Sequence, residues 1–270
     1  VWGYIFDALH PGTFNGISQY QFDMGLAREF LNAGEWYRLI SSGFLHFGLL
    51  HVGMNMFLLY QLSRMLEPTL GSVKFALVYF ASLFGGAAGA LIASPNALTG
   101  GASGAVFGMM AAAIVGMRQR GVNPLQTGLG LTFVINIGLT LAIPNISVGG
   151  HFGGAIAGAA CGVFVLAPAH WRLPRWTEFV MPIVIGAIAV AIGSNAGLTN
   201  QGTESVAIGR LAGKLNQGAQ TIAIGPEAGR DDQGANGIAL GHEAGRADQA
   251  DYGIAIGEKA GNSNQGIRGI

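Results

Sequence analysis

Five polar side chains lie at or near the beginnings of three strongly apolar stretches of this chain. They are His46, His51, Asn55, Ser103 and His151. A serine hydroxyl is a poor nucleophile until a neighbouring base takes its proton, and histidine is the most frequent base of that kind. The sequence therefore predicts nucleophilic catalysis by Ser103 with His151 as its base, provided that the fold brings the two together.

A catalytic triad also needs a carboxylate behind the base. No Asp or Glu occurs between Glu67 and Glu178, so we expect a Ser-His dyad. Ser103 at the start of a helix places backbone N–H groups and the positive end of the helix dipole where an oxyanion would form. His51 and Asn55 are four residues apart, on one helical face, and can direct two further donors at that point.

Two other interpretations compete with catalysis. Zinc proteases pair histidines at i and i+4, whereas His46 and His51 are five apart, about 140° around a helix, and the stretch supplies no Glu. We therefore expect neither a metal nor a cofactor. The small-xxx-small pairs are Gly104 with Gly108 and Gly150 with Gly154. Such pairs are ordinary helix-packing devices, so the membrane face shared by the five polar groups is what favours catalysis.

The elements that must position these groups are membrane helices, because only 10% of the 270 residues are charged, against about a quarter in soluble domains. Five apolar stretches have approximately the length of a bilayer core. They are Phe47–Met65, Val73–Ala93, Ser103–Met117, Leu129–Ile143 and Val148–Ala167. A sixth stretch, Phe179–Ile192, is shorter. The sequence thus predicts a polytopic helical bundle.

Basic residues orient the predicted spans. Arg64 and Lys74 flank the turn after the first span, Arg118 and Arg120 follow the third, and Arg172 and Arg175 follow the fifth. Lys and Arg mark the cytoplasmic side, so the first, third and fifth spans begin at the outer face. We predict an integral protein of the bacterial cell (inner) membrane whose active site opens toward the outer face.

Composition argues against several other classes. The formal net charge of zero gives no indication of nucleic-acid binding. The single cysteine, Cys161, excludes an internal disulfide framework, and its apolar surroundings predict that it is buried. A transporter or channel would need polar residues along a path through the membrane, whereas here they gather on one side.

Three short motifs follow one another in the chain: HFGLLHVGMN at 46–55, GASGAVFG at 101–108 and GGHFGG at 149–154. In this order they resemble the signature blocks of the rhomboid intramembrane serine proteases, over roughly residues 1–169. The resemblance implies that Ser103 is the nucleophile and His151 the general base. It also implies that His51, Asn55 and the backbone of Ser103 form the oxyanion site.

The resemblance assigns roles to further residues. Gly101, Phe107 and Gly150 would belong to the oxyanion and substrate-binding site, and Phe107 stands where many members have a tyrosine that stacks on the base. The structural residues would be His46, Trp36, Arg38, Gly104, Gly108 and Gly154. Tyr37 separates Trp36 from Arg38, which the family commonly has as neighbours.

The resemblance also implies what the enzyme would act on. Substrates would be transmembrane segments with a destabilised stretch of small residues, entering sideways near Leu129–Ile143, and the loop Pro144–Gly149 would cap the site. The starting run Val1–Phe6 is similar to the end of the family's first helix, so we treat the sequence as a fragment.

The C-terminal region repeats with a period of 16 residues. The recurring residues are Gly193, Gly209, Gly225, Gly241 and Gly257, and Gln201, Gln217, Gln233, Gln249 and Gln265. Short apolar strands that end at glycine turns predict a parallel β-solenoid, with the glutamines as internal ladders and His242 facing solvent. The pattern resembles the head repeats of trimeric adhesins, which implies a homotrimer; a monomeric solenoid is the alternative.

We therefore predict a rhomboid-like membrane protease domain at 1–169, a linker with a short extra span at 170–189, and five β-repeats at 190–270. Val190–Ile192 fits both the end of the sixth span and the first repeat strand. The alternative to a protease is a catalytically inactive rhomboid-like scaffold that displays an adhesin-like repeat module.

Overall fold

The computed structural model describes residues 13–14, 17–144, 146–193, 199–202 and 205–266. The chain forms two compact units, chiefly Gly34–Val190 and Ala191–Ile270. The run Val1–Phe6, with its similarity to a helix end, lies outside the described residues. The predicted domain boundaries stay a prediction.

Helices follow one another along the chain up to Gly193. A two-stranded hairpin, β1 (Thr13–Phe14) and β2 (Ile17–Ser18), precedes three short helices, α1 (Gln19–Met24), α2 (Arg28–Asn32) and α3 (Arg38–Ser41). Six longer helices follow: α4 (Leu49–Leu70), α5 (Ser72–Ala93), α6 (Ser103–Gln119), α7 (Leu129–Ala142), α8 (Val148–Val165) and α9 (Thr177–Gly193). Each of the six predicted apolar stretches thus coincides with a helix.

The helices differ in how well they match a bilayer. By length and composition, α5 and α8 can cross a membrane among the described residues. Arg38–Phe44 and α4 meet at a bend of 97° and make a third span if they are taken as one. Helices α7 and α9 are apolar but shorter, and α6 has only 17 residues. The part of the chain that the structure describes therefore contains two or three helical spans of full length, where the sequence predicts five spans.

The short helix α6 lies at the centre of the helical unit. Every residue from 104 to 113 is buried, and Val106, Met109 and Met110 join Val78 of α5 and Cys161 of α8 in one core. Burial of Cys161 confirms the sequence prediction. A short helix enclosed by its neighbours does not need to match the bilayer thickness by itself.

Glycine and capping residues set the helix ends. Gly71 has a φ of 75° between α4 and α5, and Gly128 has a φ of 78° before α7, a region where side chains are disfavoured. Ser147 caps α8, because its Oγ accepts a hydrogen bond of 3.1 Å from the backbone N–H of Gly150. On the side where the basic residues lie, Lys74 of α5 pairs with Glu178 of α9 at 2.6 Å.

The second unit is a parallel β-solenoid of about three turns. One sheet contains β3 (Thr199–Gln201), β5 (Leu215–Gln217), β7 (Asp231–Gln233) and β9 (Ala247–Gln249). The other contains β4 (Val206–Ile208), β6 (Ile222–Ile224), β8 (Ile238–Leu240) and β10 (Ile254–Ile256). Partners such as Ala207 and Ala223 are 16 residues apart, which confirms the period. Parts of the first and last predicted repeats lie outside the described residues.

Alanines and glutamines fill the solenoid interior. Six alanines with exposures of at most 1% form its apolar core. Gln217 Nε2 donates to Gln233 Oε1 at 3.2 Å, and Gln249 Nε2 donates to Gln265 Oε1 at 3.1 Å, so the internal ladders are confirmed. The residues 190–192 belong to α9, which continues to Gly193. His242 is exposed, as predicted.

Candidate active site

Glycines bring the helices that carry Ser103 and His151 into backbone contact. A β-carbon placed on Gly104 would lie 3.1 Å from the carbonyl oxygen of Gly150 and 3.2 Å from the Cα atom of Gly86. These distances are closer than ordinary carbon contacts, so α5, α6 and α8 meet here without intervening side chains. Gly104 follows Ser103 and Gly150 precedes His151, so the same contact sets the separation of the two functional side chains.

Ser103 and His151 are within hydrogen-bond distance. The Oγ atom of Ser103, the first residue of α6, lies 2.8 Å from Nε2 of His151. The histidine is only 8% exposed, and the ring of Phe107 stacks on its imidazole with centroids 4.2 Å apart and planes inclined by 15°. A serine that faces an imidazole at this distance can pass its proton to the ring as it attacks an electrophile.

Two further groups of the site can donate hydrogen bonds. Asn55, in the second turn of α4, is 4% exposed, and its Nδ2 has no hydrogen-bond partner in the part of the chain that the structure describes. A buried amide without a partner is costly unless a ligand supplies an acceptor. Ser103 contributes the N–H groups at the start of its helix, with the helix dipole behind them. This set of donors fits a developing oxyanion.

Gly101 keeps the space between His51 and Ser103 open. Its φ is 133°, and a β-carbon at this position would lie 2.8 Å from Cε1 of His51 and 3.5 Å from Oγ of Ser103. A side chain at position 101 would therefore strain the backbone and collide with the imidazole. The backbone N–H of Gly101 donates to the carbonyl of Ser42 at 2.7 Å, which fixes the loop that leads into α6.

The residues with predicted structural roles lie around this centre. The ring of His46 meets that of His51 edge to face, with centroids 5.1 Å apart, and its Nδ1 lies 3.2 Å from the carbonyl oxygen of Phe44. Gly108 and Gly154 continue the contact of α6 with its neighbours, since a β-carbon on Gly108 would collide with Ser82 and the carbonyl of Gly154.

The other two predicted structural residues, Trp36 and Arg38, belong to the first loop. Arg38 is 3% exposed and donates to the carbonyl oxygens of Phe22 and Gly25 and to Glu35. Arg38 therefore holds the first loop together as a buried cation that is hydrogen-bonded to all three of these partners. Trp36 is 41% exposed and is not brought into the buried centre.

Thr140 is a residue of the site that was not predicted from the sequence. Its Oγ1 lies 2.7 Å from Nδ1 of His151, on the side of the ring opposite Ser103. Thr140 lies near the end of α7, which the predicted orientation places at the same face as Ser103. The spacing of the polar residues in α7 does not show which of them faces His151. Among the described residues, no group of three or more His, Cys, Asp or Glu side chains could hold a metal ion.

Comparison with known proteins gives consistent matches over the helical unit. The family model of the Rhomboid domain matches residues 33–168, half of the chain. Rhomboid protease GluP of Bacillus subtilis (strain 168) is 30% identical over 162 residues, which are 59% of this chain and 31% of that protein. RHOMBOID-like protein 1 of Arabidopsis thaliana is 33% identical over 141 residues, 50% of this chain and 36% of that protein.

A fungal protein is similar to the same degree. Rhomboid-type serine protease 2 of Emericella nidulans is 31% identical over 143 residues, 49% of this chain and 27% of that protein. The chain spans about a third of the length of these three relatives.

Proposed function

The chain belongs to the rhomboid family, and from this premise we propose that it is an intramembrane serine endopeptidase with a Ser-His dyad. The observation that carries the proposal is the 2.8 Å distance between Ser103 Oγ and His151 Nε2 in a buried, glycine-lined contact of two helices. The buried, unpartnered amide of Asn55 supports an oxyanion site. An inactive scaffold would have no need for such a donor.

The geometry supports the following reaction. Ser103 Oγ attacks the carbonyl carbon of the scissile peptide bond while its proton moves to Nε2 of His151. The carbonyl oxygen becomes negatively charged and accepts hydrogen bonds from Asn55, His51 and the N–H of Ser103. His151 then gives the proton to the departing amine as the C–N bond breaks. A water molecule, deprotonated by the same imidazole, hydrolyses the acyl-serine and restores both groups.

Substrates in this proposal are transmembrane segments of other proteins, reached within the bilayer. Helix α7 supports a sideways route past it, because Gly130 and Thr140 are its only buried residues. Such a loosely held helix can yield to an incoming segment at a modest cost in packing. The basic residues at the opposite helix ends support a site that opens toward the outer face of a bacterial inner membrane.

Proteolysis can be tested directly in reconstituted vesicles. A fluorogenic peptide that contains a transmembrane segment with a stretch of small residues would be incorporated with the purified chain. We expect cleavage by the wild type and none by Ser103→Ala or His151→Ala with unchanged helix content. Binding of the segment without cleavage, equal in all three proteins, would instead favour the inactive scaffold.

We also propose that the repeats associate as a homotrimer. The sheet of β4, β6, β8 and β10 buries its alanines but leaves apolar side chains on its outer surface, including Val206, Ile222, Ile224 and Ile256. A continuous exposed apolar surface is typical of an interaction site. Native mass spectrometry of the full chain in detergent should give trimers, and Ile224→Lys should give monomers. A wild-type monomer would favour the isolated solenoid.

A further inference from the structure

The hydroxyl of Thr140 makes two short contacts at the same time. Its Oγ1 lies 2.7 Å from the carbonyl oxygen of Asn136, one turn earlier in α7, and 2.7 Å from Nδ1 of His151 in α8. Thr140 is 3% exposed. Water therefore cannot replace either partner without a rearrangement of the two helices.

Both contacts can be hydrogen bonds with only one arrangement of the protons. A carbonyl oxygen only accepts hydrogen bonds, so the single hydroxyl proton of Thr140 must point at Asn136. Oγ1 then has only lone pairs for the imidazole, and Nδ1 of His151 must carry a hydrogen that it donates. In a neutral imidazole, a hydrogen on Nδ1 leaves Nε2 with a free lone pair, which faces Ser103 Oγ.

We propose that Thr140 is a positioning residue that holds His151 in the tautomer and orientation required of the base. This proposal rests on the proposed function and deepens it. The hydroxyl supplies the acceptor that a carboxylate provides in a triad, in a segment with no Asp or Glu between Glu67 and Glu178. Proton transfer thus depends on a series of hydrogen-bonded groups, which runs from Ser103 through His151 and Thr140 to the carbonyl of Asn136.

The hydrogen bond of Thr140 also connects two helices. The bond joins the base on α8 to α7, whose buried residues are only Gly130 and Thr140. The orientation of the base therefore depends on the position of the helix past which we propose that substrates enter. Phe107 restrains the face of the ring by stacking, but a ring contact cannot select between the two tautomers.

Kinetics in reconstituted vesicles test the role of the hydroxyl. Thr140→Val keeps the shape but removes the acceptor, so kcat should fall about tenfold, the factor expected for the loss of one hydrogen bond, with KM unchanged. Thr140→Ser keeps the hydroxyl and should restore most of kcat. Thr132→Val, the same change two turns earlier in α7, is the matched control and should leave kcat unchanged.

The tautomer of His151 can be measured in the wild-type protein without an activity assay. Nitrogen-15 NMR of histidine-labelled protein distinguishes the two tautomers, and His151→Asn identifies the signal of His151. We expect hydrogen on Nδ1 in the wild type and in Thr140→Ser, and a mixture of tautomers in Thr140→Val. A wild-type signal with hydrogen on Nε2, or a kcat of Thr140→Val equal to that of Thr132→Val, would overturn the proposal.

The two proposals fail in different ways. If the wild type cleaves nothing, the proposed function fails, while the tautomer still tests the role of Thr140. If the wild type cleaves and Thr140→Val cleaves equally well, the protease stands and the positioning role is wrong.

Discussion

Replacement of Gly154 by alanine perturbs the helix contact one turn below His151. A β-carbon at position 154 would collide with the carbonyl oxygen of Gly104 and would lie 2.6 Å from its carbonyl carbon and 3.0 Å from its Cα atom. Carbon atoms in contact are ordinarily about 3.5–4.0 Å apart. Helices α6 and α8 must therefore separate by roughly 1 Å at this level.

The separation acts directly on the dyad, because Ser103 precedes Gly104. An added 1 Å or so lengthens the 2.8 Å contact between Ser103 Oγ and His151 Nε2 beyond hydrogen-bond range. Misplacement of a catalytic group on this scale costs on the order of 100-fold in rate. Overpacking also lowers the free energy of unfolding by about 1–3 kcal/mol. We therefore expect Gly154→Ala to lose most of kcat/KM while it still folds.

Two further glycines supply the controls. Gly162→Ala creates a similar clash between α6 and α8, 2.8 Å from the Cα atom of Ala112, but about 12 Å further along α8 than Gly154. Gly138→Ala on α7 meets no atom within 4 Å. The assay is cleavage of the transmembrane reporter, with the melting temperature measured in parallel. If Gly154→Ala had the same kcat/KM as Gly138→Ala and only a lower melting temperature, the contact at Gly154 would not set the distance between Ser103 and His151.

Four more outcomes follow from individual contacts. Gly101→Ala places a side chain at a φ of 133° beside the imidazole of His51, so it should abolish cleavage while the circular dichroism spectrum stays unchanged. An active variant would show that the space between His51 and Ser103 does not need to stay open. Asn55→Ala should lower kcat by about 100- to 1,000-fold without lowering the melting temperature, whereas a large loss of stability would show that the amide is structural. Gln233→Ala removes a rung of the internal ladder and should destabilise the repeats by about 1–3 kcal/mol with cleavage intact, which scanning calorimetry checks. Hydrogen bonding to Arg38 lowers the pKa of Glu35. The ionised Glu35 therefore stabilises the fold fully above the ordinary glutamate pKa, and this stabilisation is lost as pH falls through the lowered pKa. The melting temperature of Glu35→Gln should therefore depend less on pH in that acidic range than that of the wild type. Parallel plots of melting temperature against pH for the two proteins would contradict the pairing of Glu35 with Arg38.

The approach of Ser103 to His151 could be predicted from two signals in the sequence, the distribution of basic residues and the glycines beside each residue. Basic residues such as Arg64 and Arg118 predict an orientation of the helices in which Ser103 and His151 lie at the same face. Glycines next to each of them indicate that the two helices touch. Neither signal gives a distance, and the 2.8 Å contact emerges only from the packing of α6 between α5 and α8.

Thr140 shows what the sequence could not supply. Helix α7 carries both Thr132 and Thr140, about 12 Å apart along its axis. The predicted orientation puts Thr140 near the end of α7 at the face of the site, but the rotation of the helix about its axis decides whether that hydroxyl meets α8. That rotation depends on long-range packing, which has no local signature. The 16-residue period is the opposite case, because stacking identical turns forces equivalent glutamines such as Gln217 and Gln233 into register.

Span lengths were the least predictable feature of the helical unit. The apolar stretch that contains α6 forms a helix of only 17 residues, and because its neighbours bury it, it does not need to match the bilayer thickness by itself. At the end of the unit, Val190–Ile192 suits a helix and a strand equally well by composition. Continuation of α9 to Gly193 resolves that ambiguity in favour of the helix.

The most direct test of the central claim is labelling with a fluorophosphonate probe in detergent, followed by mass spectrometry of the modified peptide. We expect a single modification on Ser103, which is absent from Ser103→Ala and greatly slowed in His151→Ala. No modification of a wild-type protein with intact helix content, or equal labelling of His151→Ala, would contradict a serine activated by this histidine.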